Sequence, residues 1–263
     1  MNNPVFGIAL SGGGHRGLAH VGILQFLDEQ KISPQILSGT SAGAIVASMY
    51  AIGKTPLEIL ELFQSISFFN WNYLTTKKAG LFDIERLEIY LDRELGDRTI
   101  GELNKDVYIS ATDMQRGRLK IFNRDTMAKK AILASCAFPA VFSPVVIDGI
   151  TYSDGGMLNN FPVTTIQGHC DYLIGSNVNP VVETSANNLK SIKSITLRSF
   201  EIMMNNNAHQ HKNLCDWYLE PADLAKYFTF ETSKSKMKEI YDIGYLEAKS
   251  NFSTFEDLLK IKK

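Results

Sequence analysis

The sequence has few cysteines, no excess of charge of either sign and no long apolar run, and each absence excludes a class of protein. Its 263 residues include three cysteines, Cys136, Cys170 and Cys215, none of them in a CxxC pair. This odd number argues against a disulfide framework and a zinc site, and it favours a reducing compartment such as the cytoplasm. Lys and Arg total 27 against 28 for Asp and Glu, so no basic surplus indicates a nucleic-acid partner.

Two uncharged stretches, residues 32–53 and 131–147, are the candidates for membrane-spanning helices. The first is interrupted by several serines and glycines and by a proline, and the second contains Pro139 and Pro144. A spanning helix needs about 20 predominantly apolar residues, so we interpret both stretches as buried core. The N-terminus has no basic segment ahead of its short apolar run, which argues against a secretory signal peptide.

Apolar runs of strand length alternate with helical periodicity in the first half of the chain. Val5–Leu10 precedes a helix predicted over Leu18–Gln30, and a strand ending at Gly39 precedes a helix over Ala42–Ile52. This alternation is typical of a three-layer α/β/α fold with a largely parallel central sheet. We expect a single domain over residues 1–263, with the motif-bearing core at about 5–178 and a closing segment at about 185–263.

The second half of the chain predicts two hairpins. One joins Val107–Ala111 to Leu119–Asn123, and the other turns at Asp148-Gly149, a pair that suits a type I′ turn. The other predicted elements are helices over Met127–Cys136 and Lys236–Lys249, a strand over Tyr172–Asn177, an extended segment over Asp216–Leu219, and capping boxes at Thr55 and Thr99.

Six of the 19 glycines lie between Gly7 and Gly22, in the loop that joins the first strand to the first helix. Such a density indicates a backbone that turns tightly or approaches a ligand closely. Because the loop leads into the N-terminus of a helix, its amide groups are expected to bind an anion.

Gly12, Gly14 and Gly17 fit the GxGxxG pattern of dinucleotide-binding proteins, but the other requirements of that fold are missing. No acidic residue follows the second strand, which ends at Leu37-Ser38-Gly39, so nothing would bind a ribose hydroxyl. Gly17 is followed by Leu18 instead of lysine, which also excludes a P-loop. We therefore expect no nucleotide cofactor.

The second strand leads directly into Gly39-Thr40-Ser41-Ala42-Gly43, a GxSxG sequence. On a sharp turn between a strand and a helix such a serine is exposed as a nucleophile, and the flanking glycines allow close packing. The alternative is an ordinary connection in which Ser41 caps the helix. A candidate base, Asp154, lies in Ser153-Asp154-Gly155-Gly156, a segment that by itself is also typical of a simple turn.

In this order, the Gly12–Gly17 loop, the Ser41 motif and the Asp154 motif resemble those of the patatin-like phospholipases, in the bacterial branch similar to neuropathy target esterase. The resemblance extends from about Val5 to Val178 and includes residues 41–53, 111–122, 135–145 and 154–162. Residues 241–248 resemble the closing helix of that branch.

The resemblance implies a hydrolase that cleaves acyl esters of lipids with a Ser–Asp dyad, without a metal or a cofactor. Ser41 would be the nucleophile and Asp154 the base. The oxyanion would bind at the glycine loop, where Arg16 would support either the loop or the negative charge; an ion pair between Arg16 and a surface carboxylate is equally expected.

The site residues that the resemblance adds are glycines: the oxyanion hole at Gly12, Gly13 and Gly14, and motif support from Gly17, Gly39, Gly43, Gly155 and Gly156. The implied partner is a lipid or acyl-ester substrate, reached through a transient contact with a membrane surface.

An α/β-hydrolase with a Ser–Asp–His triad is the main alternative, because His169, His209 and His211 follow Asp154 in the order that this fold requires. A lipid-binding module without activity is a further alternative, against which the intact serine and aspartate argue. Three smaller expectations concern packing: His20 packs or caps, Cys136 and Cys170 are inert core, and the aromatic residues of Phe63–Tyr73 either pack against the core or contact lipid.

Overall fold

The structure, a computed structural model, describes residues 3–65, 80–82, 85–229, 231 and 233–261. The strands are β1 (Phe6–Leu10), β2 (Ile36–Thr40), β3 (Gly80–Phe82), β4 (Asp106–Asp113), β5 (Arg118–Ile121), β6 (Ala140–Phe142), β7 (Val145–Ile147), β8 (Ile150–Asp154), β9 (Tyr172–Ser176) and β10 (Trp217–Leu219). The helices are α1 (Leu18–Glu29), α2 (Ala42–Ala51), α3 (Pro56–Ser65), α4 (Glu85–Leu95), α5 (Ala128–Cys136), α6 (Gly156–Asn159), α7 (Ile192–His211) and α8 (Lys234–Ile261).

One large sheet forms the centre of the molecule, with the strand order β10-β9-β1-β2-β4-β8-β7 and with β5 paired to β4. The strands from β10 to β4 run parallel, whereas β8, β7 and β5 pair antiparallel. Because β1 and β2 are parallel neighbours, the loops that follow them emerge side by side at the carboxyl edge of the sheet. The glycine loop and Ser41 are therefore adjacent.

Both faces of the sheet are covered, as the nearly uninterrupted apolar character of its central strands requires. Within β1, Ile8 and Leu10 belong to the larger hydrophobic cluster and Ala9 belongs to a smaller one, because alternate side chains of a strand point to opposite faces. Helices α1, α2, α3, α5 and α8 supply the first face, where α8 packs along α1. The 3-10 turn at Pro162–Thr165 and the end of α7 supply the second. The predicted α/β/α fold with a mostly parallel sheet is confirmed.

The local signals read from the sequence also produce the expected structure. Asp148 and Gly149 have φ of 51° and 76°, as the type I′ turn between β7 and β8 requires. At the start of α3, the Glu58 carboxylate accepts the Thr55 N–H at 2.8 Å while the Thr55 hydroxyl accepts the Glu58 N–H, which is the predicted capping box.

Two long helices differ from the sequence-based expectation. The chain from Ile192 to His211 forms α7 although its asparagine-rich sequence predicts no helix, and α8 extends to Ile261, beyond the predicted end at Lys249. The sequence does not predict α7 because its apolar periodicity is weak. The end of α8 depends on packing against α1. None of the helices in the described ranges is both long enough and apolar enough to cross a membrane.

Candidate active site

Ser41 occupies the sharp turn between β2 and α2. Its φ of 52° and ψ of −121° lie outside the regions that a non-glycine residue adopts readily. Gly39 and Gly43 make the turn possible, because a Cβ at Gly39 would collide with the Gly43 carbonyl and one at Gly43 would collide with the Leu10 carbonyl of β1. The strand–turn–helix context predicted for Ser41 is present.

The backbone of Ser41 is held from two sides. Its N–H donates to the hydroxyl of Ser135 at 2.8 Å, and its carbonyl accepts the N–H groups of Ala44 and Ile45 at 2.9 and 3.2 Å. Ser135 lies on the last turn of α5 and is fully buried. The strained conformation is thus stabilised by α5 as well as by the first turn of α2.

Strand register brings Asp154 level with Ser41. Thr40 pairs with Ser110 of β4, and the next residue of β4, Ala111, pairs with Asp154 at the end of β8. The two residues therefore lie at one edge of the sheet, and both line the same cavity.

The Asp154 carboxylate is 1% exposed, and burial raises its pKa to about 6. The hydrogen bond from the Gly156 N–H, at 2.7 Å to Oδ1, and the neighbouring Ser41 side chain limit this rise, since both stabilise the charged form. The carboxylate is consequently ionised at neutral pH, yet it is a stronger base than an exposed aspartate.

The glycine loop presents two amide groups toward the same space. The N–H groups of Gly13 and Gly14 have no acceptor within the described part of the chain, whereas the Gly12 N–H donates to the Asn160 carbonyl at 3.0 Å. Gly12 is therefore not an available donor, and this corrects the expectation that all three amides contribute. Gly14 has φ of 56°, a value that favours glycine.

The remaining motif glycines permit close approach between elements. A Cβ at Gly17 would lie 2.8 Å from the Cβ of Ala42, and one at Gly155 would lie 2.5 Å from the Ser110 carbonyl oxygen. A Cβ at Gly156 would collide with Met204 of α7. Larger residues at these three positions would separate the loops that carry Ser41 and Asp154 from their neighbours.

Arg16 links the glycine loop to the C-terminal part of the chain. Its Nε and Nη2 donate to the Tyr227 carbonyl at 2.9 and 2.7 Å, and Nη2 lies 3.8 Å from the partly exposed Glu201 carboxylate. Burial lowers the pKa of Arg16, and the charge of Glu201 opposes that change. The His15 N–H donates to the Thr229 carbonyl at 2.7 Å, so residues 227–229 hold the loop at two points. Arg16 thus both supports the loop and forms the expected ion pair.

A cavity of about 710 Å³ has Ser41, Asp154 and the glycine loop in its wall. Most of the remaining wall is apolar, with side chains that include Ile45, Phe138 and Phe200. Its volume is within the range of sites that bind small molecules or single lipid chains. An ester that enters it would meet the Ser41 hydroxyl among hydrocarbon groups.

The histidines required by the alternative triad lie elsewhere. His169 packs against Tyr108, with 6.0 Å between the ring centres, and His209 and His211 end α7; none of the three lines the cavity. His15 does line it, and burial lowers the pKa of His15 to about 4, which leaves the ring neutral. His20 packs in the core as expected, with Nδ1 2.7 Å from the Ser176 hydroxyl and Nε2 2.9 Å from the Ser11 carbonyl.

Two residues next to Ser41 give no functional signal in the sequence. Ser135 gives no signal as the acceptor for the Ser41 amide, because the contact joins residues 94 positions apart. Cys136 is buried in the hydrophobic core, as expected, and it also lines the cavity. Burial raises the pKa of this thiol well above its ordinary value, so it stays protonated.

The aromatic residues predicted to contact core or lipid are described only in part. Phe63 is buried and lines the cavity, whereas Phe68, Phe69, Trp71 and Tyr73 lie outside the described residues. Within the described ranges, no group of three or more His, Cys, Asp and Glu side chains is arranged to hold a metal ion.

Comparison with curated proteins finds uncharacterised relatives and a lysophospholipase. The chain is 32% identical over 182 residues to an uncharacterised NTE family protein of Mycobacterium bovis, covering 68% of this chain and 50% of that protein. It is 25% identical over 280 residues to the lysophospholipase NTE1 of Kluyveromyces lactis, covering 99% of this chain but 19% of that protein. An uncharacterised mimivirus protein is 31% identical over 189 residues, 64% of this chain and 63% of the relative. The chain thus spans less than two thirds of each of these relatives.

Comparison with solved structures finds the same fold at low sequence identity. VipD of Legionella pneumophila superposes with a TM-score of 0.64 and 15% identity, covering 96% of this chain and 67% of VipD. The type III effector ExoU of Pseudomonas aeruginosa superposes with a TM-score of 0.52 and 15% identity, covering 95% of this chain and 53% of ExoU. Finally, a family model described as patatin-like phospholipase matches residues 8–166, more than half of the sequence and all three motifs. The chain belongs to the patatin-like phospholipase family.

Proposed function

We propose that this protein is a lipid acyl hydrolase that cleaves carboxylic esters with a Ser41–Asp154 dyad. The observation that carries the proposal is that Ser41, on its strained turn, and the buried Asp154 carboxylate lie in the wall of the same apolar cavity, where Ser41 stabilises the charged form of the carboxylate. Membership of the patatin-like family and the similarity to a lysophospholipase support it.

In the first half-reaction, Ser41 Oγ attacks the ester carbonyl while its proton moves to Asp154. The pKa of about 6 places Asp154 near the pH at which a general base is most effective, because it is ionised at neutral pH and still accepts a proton. The tetrahedral intermediate collapses to an acyl-serine, and the leaving alcohol takes the proton from Asp154. In the second half-reaction, Asp154 removes a proton from water as the water oxygen attacks the acyl-serine. The bond to Ser41 Oγ then breaks, Oγ takes the proton from Asp154, and the fatty acid leaves.

The amides of Gly13 and Gly14 are the proposed donors to the oxyanion. They line the cavity beside Ser41 and have no acceptor among the described residues. One such donor is typically worth about 2.7–4 kcal/mol of transition-state stabilisation. Arg16 acts by position: its side chain donates two hydrogen bonds to the Tyr227 carbonyl, and these fix the loop that carries the two amides.

The apolar wall favours a substrate whose acyl part is a hydrocarbon chain. Burial of such a chain contributes about 0.8 kcal/mol per CH₂ group, so long-chain esters should bind more tightly than short ones. Because one of the relatives is a lysophospholipase, we propose single-chain phospholipids as the first substrates to test.

No specific observation favours the Ser–Asp–His triad, because its three candidate histidines lie away from the cavity. A binding module without activity is also disfavoured. A strained serine and a buried carboxylate both cost stability, and neither would be needed only to hold a lipid.

Labelling with a fluorophosphonate probe tests the proposal. The adduct should lie on Ser41, and the Ser41→Ala variant should neither be labelled nor release fatty acid from lysophosphatidylcholine. Ser48→Ala is the matched control, since Ser48 is a nearby serine buried within α2 that does not line the cavity, and its replacement should leave labelling unchanged. An adduct on a different serine, or ester hydrolysis that persists in Ser41→Ala, would refute the assignment.

A further inference from the structure

Helix α7 presents large apolar side chains to solvent. At 3.6 residues per turn, eight of its exposed residues fall on one side of the helix, four of them apolar (Ile192, Ile195, Ile202 and Met203) and four polar (Ser199, Asn206, His209 and Gln210). None of them is an aspartate, glutamate, lysine or arginine, and the exposed fractions of Ile192 and Met203 are 89% and 67%. A surface helix ordinarily carries charged or polar residues on its solvent side. This set, the outer face of α7, therefore indicates a binding surface.

The outer face of α7 continues into the cavity. Thr196, Phe200 and Met204, which follow one another at four-residue intervals on the adjacent side of the same helix, line the cavity that contains Ser41. A separate segment adds Phe228, which is 74% exposed and also lines the cavity. Two separate segments thus expose apolar side chains beside one apolar cavity. One lipid layer could contact both segments at the same time.

Cationic residues lie at both ends of this face. Lys190 precedes the first turn of α7 and Lys212 follows its last turn, and both are exposed. Neither forms an ion pair with any residue in the described ranges. A face with four exposed apolar side chains and no carboxylate, between two lysines, suits the surface of an anionic bilayer, where acyl chains lie below phosphate groups.

We propose that the outer face of α7, together with Phe228, docks this protein on the surface of an anionic phospholipid membrane. The proposal rests on the proposed function, because docking would place the cavity entrance against the layer that contains the lipid esters. The apolar side chains would enter the acyl region, and Lys190 and Lys212 would bind phosphate oxygens.

Co-sedimentation with lipid vesicles tests the docking face separately from catalysis. The measurement uses Ser41→Ala, which keeps the surface and prevents hydrolysis, with vesicles of phosphatidylcholine alone or mixed with phosphatidylglycerol. The expected result is stronger binding to the mixed vesicles, reduced by salt. Adding Ile195→Ser and Met203→Ser together should weaken partition about tenfold or more, since two apolar side chains no longer enter the acyl region. Lys190→Ala with Lys212→Ala should remove the preference for phosphatidylglycerol.

Leu246→Ser is the matched control. Leu246 is 58% exposed on α8 and does not line the cavity, so this change should leave vesicle binding unaltered. Equal loss of binding in Leu246→Ser and in the Ile195→Ser, Met203→Ser protein would overturn the proposal. So would a concentration-dependent dimer, seen by light scattering, that the two α7 changes abolish while vesicle binding persists, because a second copy would then cover the face.

A water-soluble short-chain ester separates this proposal from the proposed function. With intact Ser41, the Ile195→Ser, Met203→Ser protein should hydrolyse that ester at the normal rate, since neither residue lines the cavity, and should lose activity only on vesicles. A wild-type protein that hydrolyses no ester but binds anionic vesicles through α7 would refute the proposed function and leave the docking face established.

Discussion

Replacing Asp154 by asparagine should abolish most activity and at the same time make the protein more stable. Asparagine has nearly the same shape and retains an Oδ1 that can accept the Gly156 N–H, now 2.7 Å away. It cannot accept the proton of Ser41. Since a positioned general base is typically worth about 10²–10⁴-fold, kcat/KM on a soluble ester should fall by at least that factor.

The gain in stability follows from the pKa of Asp154. Burial raises the pKa from 3.8 to about 6, so ionisation of this carboxyl opposes folding at every pH above the unfolded value. At about 1.36 kcal/mol per pH unit, the cost at pH 8 is about 3 kcal/mol. Asparagine carries no such cost, and the Tm of Asp154→Asn at pH 8 should be higher by about 5–10 °C. The difference should shrink as the pH falls through 6 and vanish near pH 4.

Thermal unfolding measured from pH 4 to pH 8, together with esterase kinetics, checks this prediction. Asp113→Asn is the matched control, because Asp113 is another buried aspartate at the end of a strand of the same sheet. Burial raises the pKa of Asp113. The hydrogen bonds and the positive charge of Arg116 lower it by more, so the pKa lies below its ordinary value. Asp113→Asn should therefore destabilise the protein, more at pH 8 than at pH 4, without loss of kcat. An Asp154→Asn protein that is active, or whose Tm gain is independent of pH, would refute the reasoning.

Three other predictions concern the same site. The value of kcat/KM should rise with pH through about 6 and be lost below it, because protonated Asp154 cannot act as a base; a profile that is flat between pH 5 and pH 8 would contradict this. Ser135→Ala should lower kcat and cost about 1–3 kcal/mol in denaturant unfolding, because the Ser41 N–H loses its acceptor, whereas Ser48→Ala should change neither quantity. Gly43→Ala should give no folded protein by circular dichroism, because its Cβ would collide with the Leu10 carbonyl, while Gly53→Ala, which meets no atom within 4 Å, should fold with a loss of about 1–2 kcal/mol. A folded Gly43→Ala protein with full activity would show that the turn at Ser41 is not as tight as described.

Local chemistry was sufficient to predict the elements that carry the motifs. Short apolar runs ending in glycine-rich loops predict β1 and β2 with the loops that follow them, because strand, turn and helix signals there all agree. The turn at Asp148-Gly149 was predicted because both positions need positive φ. Helix α7 was not predicted, because its sequence has no consistent apolar stripe and its asparagines favour other conformations.

The sequence by itself determined which residues could react, and only the tertiary structure decided how they meet. Ser41 and Asp154 could be selected from motifs, since the tight turns around them require glycine at defined positions. Their placement in one cavity wall depends on the register of β2, β4 and β8, which long-range pairing sets. The bond between the Gly12 amide and the Asn160 carbonyl, which removes one expected oxyanion donor, likewise joins residues far apart in the chain. Burial also appears only when the chain is folded, and it is burial that raises the pKa of Asp154 to about 6, the value on which its proposed role as the base for Ser41 depends.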